Sequence, residues 1–420
     1  MDERQQRGIE IAATKRIRQD GDAWIVPSQN GTARYSVSVA EKRCSCPDFE
    51  ARGLPCKHLY AVEYVIQRET APDGTETVTE TMRVTYGQSW HTYNAAQTHE
   101  HDRFLPLLRE LCDGIAQPAQ SKGRPRLPLA DVVFALGIRT YSTLSTRRAA
   151  SLVRDAAALG LMDAAPSYNS ALRYLESAEM TDVLTTLIEE SAKPLAAVES
   201  DFAVDSTGIG TTTYRRWYDH KWGKERSKQT WVKVHVMTGV TTNIVTAIKA
   251  TADESADSPQ LPELLDRTVE NFDVREVSAD KAYSSRKNLH AITTVGAMPY
   301  IPFHKGSTGA MTHHKFDGLW ARMWGYYQFR QGDFLSHYHK RSNVETTFSM
   351  VKRKFGGSVR AKTPTAQVNE ALLKFLCHNI VVLVQSVYEL GIEPEFWGAA
   401  DADCLKSRVT APEVGALSGF

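Results

Sequence analysis

The sequence predicts an α/β protein in which a mixed sheet is flanked by helices and preceded by a small metal-stapled module and a helical region. The length of 420 residues favours roughly two to four domains at about 100–200 residues per domain. Beyond Pro194, apolar strands come first and helices then alternate with strands, which is typical of a mixed sheet layered with helices. Three cysteines close together near the N-terminus indicate a metal-binding module.

Composition excludes several classes of protein. Apolar residues make up 42% and charged residues 24% of the chain, which excludes a wholly disordered, collagen-like or coiled-coil protein. No apolar run approaches the roughly 18 residues that a membrane helix needs. The charged start, Met1-Asp2-Glu3-Arg4, lacks the apolar stretch of a secretory signal. We therefore expect a cytoplasmic protein without a membrane partner.

The expected organisation follows from changes in pattern along the chain. Arg34–Val39 alternates like a strand, Leu59–Ile66 resembles a short helix, and the segment after Thr70 is rich in Thr and Gly, as linkers are. The helical region is interrupted by a loop over residues 117–126, since prolines flank it. The expected parts are a metal-binding module over 1–70, a linker over 71–99, a helical region over 100–195, an α/β domain over 196–395 and a C-terminal tail over 396–420.

Within the α/β domain, two short strands are expected to end in an acid. The expected strands are Asp201–Asp205, Trp231–Met237, Asn243–Ile248, Arg275–Asp280 and Met298–Phe303. Helices are expected over 259–270, over 284–293 and through most of 339–390. If the first and fourth strands are neighbours, the carboxylates of Asp205 and Asp280 converge at one edge of the sheet. Such a pair can hold Mg²⁺, which prefers oxygen ligands.

The N-terminal cysteines have the spacing of a zinc site. Cys44 and Cys46 precede Cys56 and His58, with nine residues between the two pairs. Thiolates and an imidazole bind Zn²⁺ tetrahedrally, and four ligands close a structural site. The alternative is three unrelated cysteines and a surface histidine. The pattern C-x-C-x9-C-x-H resembles the SWIM zinc finger, a family associated with binding DNA or protein.

A third acid lies on a helix with an ordered polar stripe. Tyr338, Arg341, Glu345 and Lys352 fall within an arc of about 60° on an ideal helix, beside an apolar face. That face consists of Val344, Phe348, Val351 and Phe355. The helix could bury this face on the sheet and direct the polar stripe along the cleft; alternatively, it is a surface helix with solvated polar residues.

These four residues resemble the Y-x2-R-x3-E-x6-K signature of insertion-sequence DDE transposases. The segments around Asp205 and Asp280 resemble the family's first two acidic motifs, and the likeness extends over roughly Ser200 to Leu390. The resemblance implies a ribonuclease H-like fold and a catalytic triad of Asp205, Asp280 and Glu345. These three acids would bind two Mg²⁺ or Mn²⁺ ions. Water would free a 3′-OH at a transposon end, and that hydroxyl would attack target DNA.

The same resemblance implies roles for basic residues. Arg341 and Lys352 would position phosphates, and Tyr338 would bind a phosphate or pack under the DNA. Residues 205–362 hold 24 Lys/Arg against 15 Asp/Glu, an excess that favours a polyanion partner. Arg215, Arg216 and Lys221 lie among Trp and Tyr residues in the connection between the first two strands. They are either a DNA-contacting surface or a basic hairpin loop.

Three weaker patterns admit two interpretations each. Lys122–Arg126 resembles an AT-hook core, but a plain linker is favoured. Residues 146–159 and 167–177 form either a helix-turn-helix or a helical packing unit. The aromatic cluster Trp320, Trp324, Tyr326 and Tyr327 either stacks on an unpaired base or forms a mini-core, and the mini-core is favoured.

The sequence therefore predicts a transposase that cuts transposon ends and joins them to target DNA. We expect double-stranded DNA as its partner, association with the nucleoid when it is bound, and a homodimer or larger assembly on DNA. The alternatives are a domesticated DNA-binding regulator that no longer transposes and a metal-dependent nuclease that does not join ends.

Overall fold

A computed structural model describes most of the chain, which forms two compact units, Met1–Gln88 and Ser89–Phe420. The structure describes residues 17–28, 33–70, 76–80, 89–120, 122–123, 125–211, 231–251, 255–310 and 317–397, together with Arg4, Arg7, Gly8, Ile11, Ala12 and Lys15. The N-terminal unit and the larger unit each have their own apolar core.

The described residues 17–65 of the N-terminal unit form an antiparallel sheet with two short helices packed beside it. Its strands pair in the order β1-β2-β3-β4, and Trp24, Val26 and Val37 form its buried centre. The strand expected over Arg34–Val39 and the short helix expected over Leu59–Ile66 are confirmed as β3 and α2. The elements are β1 (Arg18–Asp20), β2 (Ala23–Pro27), β3 (Arg34–Ser38), β4 (Arg43–Cys44), α1 (Pro47–Arg52) and α2 (Lys57–Val65).

The stretch that the sequence assigns to a linker contains regular structure. Residues Ile66–Thr70 (β5) and Glu76–Glu80 (β6) pair as an antiparallel hairpin. Trp90–Thr98 forms a helix, α3, at the start of the larger unit. Threonine-rich sequence is compatible with strand as well as with loop, so composition alone did not separate the two.

A helical region opens the larger unit, as expected. The segment between its second and third helices, including residues 117–120, has no helix among the residues described there. The interruption has the physical cause proposed from the sequence, since Pro128 precedes the first residue of the next helix. The helices after α3 are α4 (Glu100–Asp113), α5 (Leu129–Tyr141), α6 (Thr146–Ala158), α7 (Tyr168–Leu175) and α8 (Ala178–Ala192).

The five-stranded sheet of the larger unit has ribonuclease H-like topology. Its order is β9-β8-β7-β10-β11. The first three strands in sequence pair antiparallel, and β10 and β11 are added in parallel on the other side of β7. The strands are β7 (Asp201–Gly210), β8 (Trp231–Gly239), β9 (Val245–Thr251), β10 (Glu276–Ala279) and β11 (Met298–Tyr300).

The expected strands are present with shifted ends: β9 runs three residues further than expected, β11 ends three residues earlier, and β7 differs most. The apolar pattern predicted a strand that ends at Asp205, whereas β7 continues to Gly210. The extension pairs with β8 all the way to Gly210 opposite Trp231. Residues 206–208 are small and polar and therefore give no apolar signal, but their backbone groups are satisfied by the neighbouring strand. Asp205 consequently lies in mid-strand, whereas Asp280 follows the end of β10.

Helices flank this sheet. The helix that begins at Ser342 packs against β7 and β8, and the last helix packs against α5 and α8 and contacts β8 and β9. The expected helices over 259–270 and 284–293 are confirmed within two or three residues. These elements are α9 (Leu261–Val269), α10 (Arg286–Thr294), α11 (Asp317–Phe329), α12 (Gln331–Tyr338), α13 (Ser342–Phe355) and α14 (Pro364–Leu390).

The helix α14 is long and apolar enough to cross a membrane by length and composition alone, and 83% of its most apolar stretch is buried inside the protein. The sequence holds no uninterrupted apolar run of about 18 residues, as expected, but α14 reaches this level by its average hydropathy. Polar residues such as Lys374 and Asn379 interrupt the apolar run, but both are buried. Lys374 donates to the carbonyls of Phe355, Gly356 and Ser358. Its ammonium group therefore joins α14 to the end of α13 and the turn that follows it.

Asn379 joins three elements through its side chain. Its amide donates to the carbonyl oxygens of Ile188 on α8 and Val245 on β9, and its carbonyl oxygen accepts the N–H of Val245 at 2.9 Å. A fully buried amide that satisfies backbone groups of a strand end is costly to remove, because those groups are left without partners.

We predict that Asn379→Leu lowers the free energy of unfolding of the larger unit by about 2–4 kcal/mol, since it orphans a backbone N–H and carbonyls in the core. Chemical denaturation followed by tryptophan fluorescence measures the change. Gln385→Leu on the same helix, whose amide bonds only the nearby Glu389, is the matched control and should change stability little. Equal effects of the two substitutions would contradict the role given to Asn379.

Candidate active site and metal-binding residues

The first two acids of the expected triad lie on adjacent parallel strands. In the register of β7 and β10, Ala279 pairs with Val204. Asp280 follows Ala279 and Asp205 follows Val204, so the two acids lie at the same level on adjacent strands. Neighbouring strands lie about 4.8 Å apart. The Asp280 side chain accepts the backbone N–H of Lys281 and caps the short turn Lys281–Tyr283, which fixes its position at the edge of the sheet.

Asp205 is a largely buried carboxylate among other charges. Burial raises the pKa of Asp205, while a hydrogen bond from the N–H of Ser206 and the positive charge of Arg341 lower it. The carboxylates of Asp280 and Asp257 raise this pKa again through electrostatic repulsion. Acidic groups that repel one another in a partly buried site favour a cation between them.

A single arginine links the first acid to the third. One terminal nitrogen of Arg341, Nη1, lies 2.7 Å from Asp205 Oδ2, and the other, Nη2, lies 2.6 Å from Glu345 Oε1. Glu345 is in the first turn of α13 and its side chain is 59% exposed. The arginine therefore brings the acid of the helix to the acid of the central strand.

The polar stripe does not lie on one uninterrupted α-helix. Tyr338 ends α12, His339–Arg341 form a 3₁₀ turn, and α13 begins at Ser342. The tighter winding of a 3₁₀ turn rotates the side chains relative to the ideal α-helix assumed from the sequence. The adjacent apolar face is confirmed, because Val344, Phe348, Val351 and Phe355 are all buried.

Lys352 and Tyr338 lie at the two ends of this stripe. The ammonium group of Lys352 donates to the Thr207 hydroxyl on β7 at 2.6 Å, and burial lowers the pKa of Lys352. Tyr338 is partly buried and packs against the main core. Lys352 thus faces the same strand as Arg341, two residues beyond Asp205.

The donor set of the acids suits Mg²⁺, since carboxylate oxygens are the ligands that this ion prefers. The arrangement is nevertheless looser than a closed site. Among the residues that the structure describes, only the cysteine–histidine set brings three or more ligand atoms within 4.8 Å of one another. The guanidinium of Arg341 supplies the positive charge that the paired carboxylates of Asp205 and Glu345 require.

The four zinc-ligand candidates converge in the N-terminal unit. Cys44, Cys46, Cys56 and His58 are all buried, and their ligand atoms lie within 4.8 Å of one another. His58 Nδ1 is 3.9 Å from the sulfur of Cys44 and 3.9 Å from that of Cys56. These separations approach the edge of a tetrahedron around Zn²⁺ with roughly 2.0–2.3 Å bonds.

Local sequence explains how these ligands are held. Cys46 is the N-cap of α1, with Pro47 in the first turn, and Gly53 ends the helix in the left-handed conformation at φ 64°. His58 lies in the first turn of α2. The short helix thereby bridges the nine residues between the two ligand pairs.

The chemistry of the cluster also suits zinc. A hydrogen bond from Cys44 lowers the pKa of Cys56 to about 4, and His58 adds to the effect. The thiolate is the form that binds a metal. Four buried soft or borderline ligands without an intervening acid fit a closed structural site better than a catalytic one.

Two regions of the chain match known families. Residues 196–380 match the family described as Transposase DDE domain, and residues 31–67 match the SWIM zinc finger. The chain carries a DDE transposase domain and a SWIM zinc finger. A solved structure of a piggyBac transposase synaptic complex with hairpin DNA is similar over 76% of this chain and 84% of that chain, at 9% identity and a TM-score of 0.35.

The DDE domain contains a fourth acid that sequence reasoning missed. Asp257 Oδ1 lies 2.8 Å from Lys233 Nζ and 3.3 Å from His235 Nδ1, and its charge acts on Asp205. Burial lowers the pKa of His235 to about 4. Asp257 lies between a strand and a helix in a segment without periodicity, so no sequence pattern pointed to it.

A surface cavity adjoins these residues in the DDE domain. It has a volume of about 410 Å³ and is lined by Ser206, Thr207, Gly208, Trp231, Lys233 and Lys352. Lys233 therefore connects the cavity to Asp257, and Lys352 connects it to α13. Two cations and two hydroxyls beside the acid-bearing strand can bind an anionic group.

The remaining expectations have mixed outcomes. Arg215, Arg216 and Lys221 lie outside the described residues. The mini-core interpretation of the aromatic cluster is confirmed: Trp320 is buried and packs edge-on against Phe303, and Tyr326 and Tyr327 pack edge-on against Phe334. Residues 146–158 and 168–175 are helices, a result that fits both a helix-turn-helix and a packing unit.

We predict that natively purified protein contains one Zn²⁺ per chain and that Cys56→Ser releases it, because three ligands no longer close the site. The N-terminal unit should then unfold, whereas the larger unit keeps its cooperative transition. Metal analysis and limited proteolysis measure the two effects. Cys112→Ser, which alters a buried cysteine of the larger unit, is the control and should retain the metal. Protein that folds normally without zinc would contradict the prediction.

Proposed function

We propose that this protein is a DNA transposase whose catalytic acids are Asp205, Asp280 and Glu345. The observation that carries the proposal is the double ion pair of Arg341 with Asp205 and Glu345. This ion pair supports a shared catalytic role for Asp205 on β7 and Glu345 on α13, which lie 140 positions apart in the sequence. Together with the DDE domain over residues 196–380, it favours phosphodiester chemistry at this edge of the sheet.

We infer that Mg²⁺ or Mn²⁺ binds to these three acids. Two such ions, when bound, activate the attacking oxygen and stabilise the leaving oxygen. The carboxylates hold negative charge at a fixed position, and the raised pKa of Asp205 reflects the burial that a bound cation would offset. Water and then a freed 3′-OH would be the nucleophiles, first for cleavage of a transposon end and then for joining to target DNA.

The basic residues have separate tasks in this proposal. Arg341 is held between two carboxylates and can exchange one of them for a phosphate oxygen when DNA binds. Lys352, held by Thr207, can neutralise a phosphate beside the scissile bond. Tyr338 would support the DNA, and Arg215, Arg216 and Lys221 would extend the phosphate contacts.

Asp257 is a positioning residue in this proposal. Its carboxylate holds Lys233 at the cavity next to Asp205. A partly buried ion pair of this kind restricts the direction of a long, flexible lysine side chain. The arrangement would orient Lys233 towards the phosphate that enters the cavity.

We further propose a structural role for Zn²⁺ in the N-terminal module, which with the helical region would recognise the transposon ends. Double-stranded DNA would be the partner, and pairing of two ends requires a homodimer or larger assembly on DNA. The proposed location is the cytoplasm, at the nucleoid when DNA is bound. The boundaries at residues 70, 99, 195 and 395 remain predictions for the extent of each part.

We predict that Glu345→Gln abolishes cleavage and joining together while DNA binding survives, since the substitution keeps size but removes the charge. Losing such a group commonly costs a factor of about 10² or more in rate. Lys352→Ala should weaken end engagement and reduce the rate in part. Single-turnover cleavage of labelled duplexes that span the DNA flanking the gene, with Mg²⁺, measures both.

Glu176→Gln, an exposed glutamate of the helical region, is the matched control. If Glu345→Gln cleaves like wild type, the triad assignment is wrong. If the wild type cleaves but never joins, the protein is a nuclease, and if it binds DNA without cleaving, it is a regulator.

We predict that Asp257→Asn lowers the single-turnover cleavage rate roughly tenfold at saturating Mg²⁺, because Lys233 loses the charge that orients it. The Mg²⁺ concentration at half-maximal rate should not change, as expected for a positioning residue. Asp266→Asn on α9, an exposed acid, is the control. A shift in the Mg²⁺ dependence would make Asp257 a metal ligand instead.

A further inference from the structure

A second basic cavity lies on the larger unit, where α5 meets the turn between α13 and α14. Its volume is about 300 Å³. Five of its lining side chains are basic and one is acidic. These are Arg139, Arg353, Lys354, Arg360 and Lys374, with Glu370 as the carboxylate.

The two lysines among these basic groups are held by other groups of the protein. Lys374 donates to three backbone carbonyls at the end of α13 and in the turn that follows it. Lys354 pairs with Glu100 at 2.6 Å. The positive charge that remains comes from three arginines, opposed by the single carboxylate of Glu370.

Arg139 is the most informative of these arginines. It is only 6% exposed and donates from Nη2 to Glu370 at 3.0 Å. Its other two nitrogens, Nε and Nη1, are buried and have no hydrogen-bond partner among the residues that the structure describes. A buried donor that has no acceptor costs about 1–3 kcal/mol, so Arg139 would gain from an oxygen acceptor that is brought to this wall of the cavity.

The other two arginines lie at the rim. Arg360 donates from Nη2 to the carbonyl of Thr143 at 2.9 Å, and Thr143 is held in the left-handed region at φ 56°. Arg353 is exposed, and no hydrogen bond or ion pair joins it to another residue in the described part of the chain. The rim thus offers one guanidinium that is held by a carbonyl and one that is exposed.

The cavity is continuous with the elements that carry the proposed catalytic acids. Arg353 directly follows Lys352 on α13. The turn after α13 is bonded to the end of β7, since the N–H of Gly210 donates to Gly357 and the N–H of Val359 donates to Gly210. A nucleic acid that lies across the acid-bearing edge would therefore extend towards this cavity.

We propose that the cavity binds a backbone phosphate of the DNA on which the DDE domain acts, through Arg139, Arg353 and Arg360. The inference rests on the proposed function and adds an anchoring site away from the acids. Phosphodiester oxygens supply the acceptors that Arg139 lacks, and guanidinium groups match phosphate geometry better than ammonium groups do. The contact would position the duplex without reading its sequence.

The test uses the full chain and a labelled duplex, with binding measured over a range of KCl concentrations. Arg353→Glu and Arg139→Lys are the test variants. The lysine keeps the charge that pairs with Glu370 but loses the free donors, so the fold is preserved. Arg275→Glu is the matched control, because Arg275 is exposed and lies beside the opposite end of β10. Thermal melting confirms that each variant is folded.

We expect Arg353→Glu to lower the slope of log affinity against log salt by about one and the affinity at moderate salt roughly three- to tenfold. Arg139→Lys should also weaken binding, and Arg275→Glu should match wild type. Slopes and affinities equal to wild type in both test variants would overturn this inference alone. A wild type that binds no DNA would overturn the proposed function as well.

A second arm separates DNA from a free anion. Inorganic phosphate is titrated against chloride at matched ionic strength, and the melting temperature is followed in wild type and Arg139→Lys. Stabilisation of the wild type alone, with unchanged DNA binding by the variants, would identify a small-anion site and overturn the DNA assignment. Weakened DNA binding by the variants without stabilisation by phosphate would support it.

Discussion

The parallel pairing of β10 with β7 is the constraint on which the site depends. Antiparallel pairing at the same position would send the chain after β10 towards the opposite edge of the sheet. The observed register, Ala279 opposite Val204, instead carries Asp280 to the level of Asp205. The connection through α9 makes the parallel pairing possible. Asp205 on the central strand β7 and Asp280 at the end of β10 are therefore neighbours.

Charge pairing organises the rest of that edge. Arg341 links Asp205 to Glu345, and Asp257 holds Lys233 and contacts His235. Asp205, Glu345 and Asp257 thus each have a cation beside them. The charge of Arg341 opposes the rise in the pKa of Asp205 that burial and, to a smaller extent, repulsion by Asp280 and Asp257 cause. These pairs are partly buried and therefore less screened by solvent than surface salt bridges. The same arrangement keeps cations available for phosphate groups.

The two compact units are stabilised in different ways. The N-terminal unit has a small apolar core around Trp24, Val26 and Val37, and a small core supplies little stability. A cluster of four buried ligands can add a metal to that core. The larger unit has an extensive core instead, through which α14 runs as a buried axis. Its buried polar residues satisfy backbone groups of helices and strands, as Asn379 and Lys374 illustrate.

The sequence by itself determined features that depend on neighbours along the chain. Alternation revealed the strands, the 3.6-residue period revealed the buried face of α13, and short spacings revealed the cysteine and histidine ligands. It also contained the signature of Tyr338, Arg341, Glu345 and Lys352. Each of these signals lies within one element or one short loop, where backbone geometry fixes which side chains are adjacent.

Only the tertiary structure decided which distant residues meet. The continuation of β7 to Gly210 depends on pairing with β8, and Asp257 gains its role from two residues on that same strand. The pair of Arg139 with Glu370 joins α5 to α14 across 231 positions, and no local pattern reports such a separation. The physical reason is that these contacts arise from packing of whole elements, whereas periodicity records only the geometry inside each one.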